Sequence, residues 1–333
     1  MDKIEFKGKL FGANVEIVAY EKVGKKILED AYKGGVRLEK IFNFYDPKSE
    51  LSQLNKKRKM KVSGEFLDLL KFSLEFCKMT DGLYDITLGK NFKERKEGKS
   101  LSKIRGSYED IRIRGNEVEI SSPDLLIDFG SVAKGYITDK IGEFLKEKKV
   151  EKFAVNSRGD ILIFGSTHKL DIAHPRNKEK SIGSIFVENV GVATSGDYNQ
   201  YDKDYEHSHI VGAKKYSSVT VVAPTLTFAD IYATVFSLID EKEMEKILGE
   251  KKELKVLTVT KSLKMKKYNG FGEIFVEKKA DIEEYFSKKK IDNEPEDSSE
   301  EWFVGDGPLN ENTREIFVRP GKKSDEEFVT KAS

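Results

Sequence analysis

Short apolar segments rich in β-branched residues recur along the chain after residue 110, and only a few helical stretches interrupt their succession. The predicted strands cover residues 111–113, 118–120, 125–129, 153–155, 161–164, 184–187, 219–222, 256–260 and 273–276. The predicted helices in this part cover residues 133–148, 228–238 and 241–248. A regular βαβ repeat would place a helix between most successive strands, so this order favours an α+β domain.

The first 80 residues predict a strand or hairpin followed by helices. Residues 6–20 alternate as a hairpin would, and residues 23–44 carry apolar side chains at helical spacing. The Gly34-Gly35 pair weakens the middle of that helix. The residues predicted to open the next two helices are Ser49 and Ser63, the second of which would cap a helix over 63–80.

Charge and cysteine content exclude several classes of protein. The 333 residues include 59 Lys+Arg and 58 Asp+Glu, a net charge of +1, which argues against a general nucleic-acid binder. Cys77 is the only cysteine, so neither an internal disulfide nor a cysteine-based metal site can form. Its apolar helical setting predicts a buried, unreactive thiol.

The two ends of the chain differ from its middle. The N-terminus lacks the pattern of a signal peptide and no apolar run approaches the ~20 residues of a membrane span, so we expect a cytoplasmic protein. The acidic run that begins near residue 292 predicts a domain over 1–290 and a linker with a tail over 291–333. Lys and Glu are abundant and Gln occurs only twice, a composition typical of proteins that work at high temperature.

The stretch from residue 125 to 139 predicts an apolar strand, a turn of small residues and a helix whose first turn carries Lys134. Small residues let the backbone approach a ligand, and a helix N-terminus with a lysine suits a phosphate group. The spacing does not match a Walker loop.

Asp230 and Thr234 lie four residues apart near the start of a predicted apolar helix, so their oxygens face the same side. A carboxylate and a hydroxyl are hard ligands that suit Mg²⁺. The alternative is structural: Asp230 would cap its own helix and Thr234 would bond back to a carbonyl.

Two other segments carry polar residues at strand ends. Residues 156–160 have the composition of a turn between strands, and residues 193–198 place hydroxyls and a glycine after a strand. Of the four histidines, none has the spacing of a zinc helix. His209, before an apolar segment, is the best-placed candidate base, although a lone histidine there is usually structural.

Taken in order, these residues resemble the ApbE-type proteins, which are FAD:protein FMN transferases. The likeness spans roughly residues 5–285, and its strength lies in the order of the motifs rather than in any one of them. The segments that carry it are residues 44–55, 80–87, 128–139, 193–198, 208–210 and the Asp230-x3-Thr234 pair.

The resemblance implies a single large ApbE-like (T-fold-like) domain of mixed antiparallel sheets with packed helices. It also implies Mg²⁺-dependent transfer of FMN from FAD to a Ser or Thr hydroxyl of a target flavoprotein, with release of AMP. By family analogy Mg²⁺ is held by Asp230, Thr234 and a backbone oxygen of the 130–133 turn, for which we expect Ser131, and His209 activates the acceptor hydroxyl. The residues expected to bind FAD, by the same analogy, are Phe11, Tyr45, Leu83, Tyr84, Asp85, Lys134 and Ser195.

The chain also departs from the family pattern. The Asp-Pro-x-x-Gly turn that usually follows the histidine is replaced by Gly212-Ala213-Lys214-Lys215, and a lipobox cysteine is absent. Three other functions therefore stay open: hydrolysis of FAD to FMN and AMP, FAD binding without catalysis, and an α+β protein whose motifs are only caps and turns.

Overall fold

The structure, a computed structural model, describes residues 3–197 and 215–278 together with the backbone of residues 302–304. Its helices are α1 (Lys25–Phe42), α2 (Glu50–Lys57), α3 (Gly64–Met79), α4 (Gly89–Lys96), α5 (Ala133–Glu147), α6 (Leu226–Leu238), α7 (Glu241–Glu250) and α8 (Phe271–Ile274). Its first strands are β1 (Ile4–Leu10), β2 (Ala13–Ala19), β3 (Lys59–Lys61), β4 (Ile111–Arg114), β5 (Glu117–Ile120), β6 (Phe153–Ser157) and β7 (Asp160–Phe164). The others are β8 (His168–His174), β9 (Asn177–Val187), β10 (Val190–Gly196), β11 (Tyr216–Ala223), β12 (Lys255–Thr260), β13 (Met265–Tyr268), β14 (Phe275–Glu277) and β15 (Trp302–Val304).

The core of the fold is an antiparallel sheet with the strand order β1-β2-β6-β7-β10-β11-β12-β13. Helices α1, α5 and α6 pack on one face of it, through side chains such as Ile17, Val155 and Val221. The other face carries the alternate residues of the same strands, such as Ala154 and Ile161. Because successive side chains on a strand point to opposite faces, strands buried on both sides lose the apolar–polar alternation of a half-exposed sheet.

A second sheet covers the face of the central sheet opposite the helices. Its strand order is β14-β9-β8-β15, and residues such as Leu170, Ile172 and Ile185 form a common core with the central sheet. The backbone of Trp302–Val304 pairs in parallel with β8, whereas β9 is antiparallel to both of its neighbours, β8 and β14. A small sheet, β3-β5-β4, lies beside α2.

Mixed helices and antiparallel sheets confirm the predicted α+β class. The two predicted helix caps are confirmed, since the hydroxyls of Ser49 and Ser63 accept hydrogen bonds from the third residue of α2 and of α3. Cys77 is fully buried, and burial raises the pKa of its thiol to about 12. No helix within residues 3–197 or 215–278 combines the length and apolarity needed to cross a membrane.

The strand predicted over residues 125–129 is wrong, although the segment is extended and alternate side chains in it are buried. Only Leu126 forms a bridge, with Leu88. The side chain of Asn55 takes the place of a neighbouring strand: it accepts a hydrogen bond from Ile127 N and donates one to Ile127 O, each at 2.8 Å. Apolar character predicted the burial correctly, but it could not show that a side-chain amide satisfies the backbone.

The prediction of a strand over residues 273–276 is correct only at its end. Helix α8 runs to Ile274, and β14 begins at Phe275. Gly270, with φ +74°, turns the chain into the short helix, so the strand starts later than its apolar pattern indicates.

Candidate active site

The turn before α5 brings backbone and hydroxyl oxygens to the N-terminal end of that helix. The carboxylate of Asp128 accepts a hydrogen bond from Gly130 N at 3.1 Å, which closes an Asx turn. The N–H groups of Val132 and Ala133 then both donate to Phe129 O, at 3.0 and 2.8 Å, and α5 begins. The predicted turn of small residues followed by a helix is confirmed.

Asp230 reaches this turn from the neighbouring helix α6. Its side chain is buried, and its Oδ2 accepts a hydrogen bond from Gly135 N, in the first turn of α5, at 3.0 Å. The alternative in which Asp230 caps its own helix is wrong, because Thr225 is the N-cap of α6 and Asp230 lies inside that helix. Burial raises the pKa of the Asp230 carboxyl, and the charge of Lys134 opposes that rise.

Thr234 lies one turn beyond Asp230 on α6. Its hydroxyl donates to the carbonyl of Asp230 at 3.3 Å, which confirms that part of the structural alternative. The residue is nevertheless partly exposed and lies one turn from Asp230 on the same side of the helix.

Lys134 is held between two carboxylates. Its ammonium forms an ion pair with Asp160 at the start of β7, and Asp230 interacts with it electrostatically. Burial disfavours the ammonium, but the two carboxylates outweigh that effect and raise the pKa of Lys134. The side chain of Lys134 is 30% exposed and that of Asp160 only 3%, so the lysine sits at the boundary between the buried acids and solvent.

Asp160 is a site residue that the sequence analysis treated only as part of a turn. The turn itself is confirmed, since residues 157–160 join β6 to β7. The carboxylate points inward and also accepts a hydrogen bond from Thr194 N at 3.3 Å. An acidic residue at the first position of an apolar strand was the available signal, because that position is buried when the strand lies inside a sheet.

Tyr84 and Ser131 are in direct contact, since their hydroxyls are hydrogen-bonded at 2.8 Å. Burial raises the pKa of Tyr84 far above its usual value, so its phenol is neutral at physiological pH. This bond joins the 80–87 segment to the turn before α5, and it brings together two residues that are 47 positions apart in sequence.

The neighbours of Tyr84 have different roles. Leu83 is 53% exposed, which leaves an apolar surface beside Tyr84. The carboxylate of Asp85 accepts hydrogen bonds from Thr87 N at 2.8 Å, from the Thr87 hydroxyl at 2.7 Å and from Tyr108 N at 3.2 Å. Asp85 therefore organises its own loop.

Tyr45 stands at the rim of the same region. Its ring is 38% exposed and packs edge-on against Phe44, with ring centroids 5.1 Å apart. Burial of the hydroxyl, with a smaller contribution from the charge of Asp128, raises its pKa to about 12. Tyr45 is thus a neutral aromatic surface close to the turn before α5.

Phe11 and Ser195 lie at two other edges. Phe11 forms the β1–β2 turn with φ +51°, and its backbone hydrogen-bonds Glu39 of α1. Ser195 lies near the end of β10, opposite Val219 of β11, and faces the helix layer. His209 lies outside the described residues. Within the described ranges, no group of three His, Cys, Asp or Glu side chains could hold a metal ion by itself.

Comparisons with known proteins match this chain over the whole region that carries the site. The model of the ApbE family matches residues 11–258. The FAD:protein FMN transferase of Vibrio cholerae is 25% identical over 249 residues, which cover 66% of this chain and 74% of that protein. The enzyme of the same name from Haemophilus influenzae is 25% identical over 259 residues, 66% of this chain and 73% of the relative.

Solved structures show the same fold. The ApbE protein of Thermotoga maritima superimposes with a TM-score of 0.72 at 23% identity, over 82% of this chain and 99% of its own. The flavin transferase ApbE of Vibrio cholerae gives a TM-score of 0.70 at 22% identity, again over 82% and 99%. Since the family match extends from Phe11 past Thr234 and so contains every residue of the site, the chain belongs to the ApbE family.

Proposed function

We propose that this protein transfers FMN from FAD to a Ser or Thr hydroxyl of a target flavoprotein, with Mg²⁺ as cofactor and AMP as the second product. The names of the relatives support the activity. The observation that carries the proposal is the meeting of Asp230, Lys134 and Ser131 at the N-terminal end of α5. A helix N-terminus with a lysine attracts a pyrophosphate, and a buried carboxylate beside it attracts a cation.

The residues assigned to Mg²⁺ fit that ion. Oδ2 of Asp230 is taken by Gly135 N, while no described residue donates a hydrogen bond to Oδ1. The charge of this buried carboxylate is only partly compensated, which favours a cation next to it. Thr234 and the 130–133 turn, with Ser131, would add further hard oxygen ligands, and Mg²⁺ commonly completes its shell with water and phosphate oxygens. When bound, the ion would neutralise charge on the pyrophosphate of FAD.

We assign FAD to the surface around this turn. Lys134 would meet a phosphate, because its ammonium is charged and lies at the solvent boundary. Tyr45 and Leu83 supply aromatic and apolar surface for a ring system. Tyr84 is buried and its hydroxyl is bonded to Ser131, so it would support the turn beneath that surface. The positions assigned to FAD or to the edge of its site on the resemblance alone are Phe11, Asp85 and Ser195.

The reaction balances as a phosphoryl transfer. The acceptor oxygen forms a P–O bond with the FMN phosphate, the P–O bond to AMP breaks, and AMP leaves with that electron pair. His209 is assigned to take the proton of the acceptor hydroxyl, by family analogy. Positioning and charge neutralisation supply most of the catalysis in such transfers.

The test is to incubate the purified protein with FAD and MgCl₂, with and without an acceptor flavoprotein, and to follow AMP and covalently bound flavin. Acceptor-dependent AMP together with a fluorescent acceptor supports transfer. AMP formed equally without acceptor indicates hydrolysis of FAD, and FAD binding without any product indicates a non-catalytic binder. Either of these two results would overturn the proposed transfer.

Two variants sharpen the assignment of roles. Asp230→Asn keeps an oxygen that can accept from Gly135 N but loses the charge, so we expect turnover to fall at least 100-fold with the fold retained. Asp30→Asn removes an exposed carboxylate of α1 and should leave turnover unchanged. Full activity in Asp230→Asn would remove Asp230 from the metal site.

A further inference from the structure

Helices α5 and α6 each supply a carboxylate that accepts hydrogen bonds from backbone N–H groups at the start of the other helix. Asp139 of α5 accepts hydrogen bonds from Leu226 N at 2.9 Å and from Thr227 N at 2.8 Å, and the Thr227 hydroxyl donates to it as well. In the opposite direction, Asp230 of α6 accepts from Gly135 N of α5. Each helix therefore satisfies backbone donors of the other.

The exchange supplements the N-terminal capping of both helices. The N-cap of α5 is Val132, which has no side-chain acceptor, so Asp230 serves the third N–H of that helix. The N-cap of α6, Thr225, accepts only from Phe228 N, at 3.2 Å. Thr225 leaves the first two N–H groups of α6 without an acceptor, and these are the groups that donate to Asp139.

The two contacts lie one helical turn apart on both helices. Gly135 and Asp139 are separated by four residues, as are Leu226 and Asp230, so the contacts act as two fixed points between α5 and α6. Backbone approaches backbone closely between them: a Cβ on Gly135 would lie 2.7 Å from Leu226 O. The contact at Gly135 is made by the Asp230 side chain itself. The contact that Asp139 makes with the start of α6 therefore determines where the Asp230 side chain lies.

We propose that Asp139 is a positioning residue that holds Asp230 against the turn before α5 and so sets the affinity of the site for its metal ion. The inference rests on the proposed function, because it gives Asp230 the role assigned there. Asp139 touches neither metal nor substrate in this scheme. It acts through the start of α6, as residues behind metal ligands commonly do.

Asp139→Asn tests the idea directly. An amide has one acceptor where the carboxylate has two, and its NH₂ group would face a backbone N–H of α6. We expect Mn²⁺, used as a probe for Mg²⁺ and followed by electron paramagnetic resonance in the presence of FAD, to bind about tenfold more weakly. The activity should return towards the wild-type kcat when Mg²⁺ is raised, while KM for FAD at saturating Mg²⁺ stays within about twofold.

The matched control is Asp240→Asn, since Asp240 caps α7 by accepting from Glu243 N at 2.9 Å, away from the site. It should keep most of its thermal stability, because Asn caps a helix about as well as Asp, and it should keep wild-type Mn²⁺ affinity. If Asp139→Asn fails to fold, Thr227→Val removes only the hydroxyl donor and should weaken Mn²⁺ binding by a smaller factor.

The outcomes separate the inference from the proposed function. Wild-type Mn²⁺ affinity in a folded Asp139→Asn protein, or an equal loss in Asp240→Asn, overturns the role of Asp139 and leaves the proposed function standing. A wild-type protein that binds no Mn²⁺ and forms AMP without a divalent ion overturns the metal assignment and the inference together.

Discussion

The side-chain amide of Asn55 pairs with the backbone of Ile127 as a neighbouring strand would, with one hydrogen bond in each direction at 2.8 Å. The two residues are 72 positions apart, and Asn55 is nearly inaccessible to solvent. This pair anchors the extended segment that leads into the turn before α5. Backbone hydrogen bonds to Ile86 and Thr87 hold the same segment, and loss of the Asn55 pair should affect both stability and the geometry of the site.

We expect Asn55→Ala to lower the free energy of unfolding by about 2–5 kcal/mol, because it leaves a buried N–H and a buried C=O without partners. Affinity for FAD should fall as well, since the segment that carries Ser131 loses its anchor. Urea denaturation and FAD titration measure the two effects. Gln53→Ala is the control, because this amide lies on the same helix and its bonds are exposed. Similar stabilities for the two variants would contradict the anchoring role.

Glu16 of β2 gives the protein a specific pH dependence. Its side chain is buried, Oε2 has no hydrogen-bond partner among the described residues, and burial raises its pKa from 4.5 to about 7 despite the nearby Lys7. Between pH 4.5 and 7 the unfolded chain has released this proton while the folded protein keeps it. Stability therefore falls as the pH rises through that window.

Glu16→Gln removes this dependence. At pH 8 the variant should be more stable than the wild type, by up to about 3 kcal/mol at 1.36 kcal/mol per pKa unit, and the difference should be much smaller at pH 5. Urea unfolding at the two pH values gives the comparison. Glu117→Gln, at a partly exposed position of β5 paired with Lys59, is the control. If the stability difference between Glu16→Gln and the wild type is the same at both pH values, Glu16 is not the source of the pH dependence.

Residue type and local spacing predicted helices and their caps well, but they did not predict contacts between residues that are distant in sequence. The caps at Ser49 and Ser63 are short-range hydrogen bonds that residue type and spacing reveal. Asn55 with Ile127, or Lys134 with Asp160, depends on how the chain folds back on itself, and no local pattern encodes it. The family motifs predicted residues that meet at the turn before α5, because such motifs record long-range pairings, whereas Asp160, outside those motifs, was missed.

Gly35 illustrates the same limit within a single helix. The Gly34-Gly35 pair indicated a weak point, yet α1 runs through it without a break. A Cβ on Gly35 would stand 3.0 Å from Ile141 of α5, so this glycine allows two helices to pack closely. Propensity describes the isolated helix, and tertiary packing decides the outcome.

Glycine substitutions test the close contact between α5 and α6. Gly135→Ala would place a methyl group 2.7 Å from Leu226 O and 2.9 Å from the Cα of Thr227, so the helices must separate. We expect a loss of about 1–3 kcal/mol in unfolding free energy and weaker metal-dependent turnover. Gly34→Ala adds a methyl group in open space inside α1 and should stabilise by up to about 1 kcal/mol. Thermal or urea unfolding measures the stability of the two variants. A change in the same direction in both would contradict the packing argument.

Variants of the ion pair between Lys134 and Asp160 distinguish its contribution to FAD binding from its contribution to stability. Lys134→Met leaves the buried Asp160 carboxylate without its cation, at a cost of about 3 kcal/mol, and removes the charge assigned to a phosphate of FAD. Adding Asp160→Asn should restore most of the stability, because the neutral amide can still accept from Thr194 N. FAD affinity should not recover, since the ammonium is still missing. The exposed pair Lys26–Asp30, at 3.5 Å, provides a reference cycle with a coupling below about 0.5 kcal/mol. Recovery of FAD affinity in the Lys134→Met, Asp160→Asn double variant would show that Lys134 serves the fold and not the ligand.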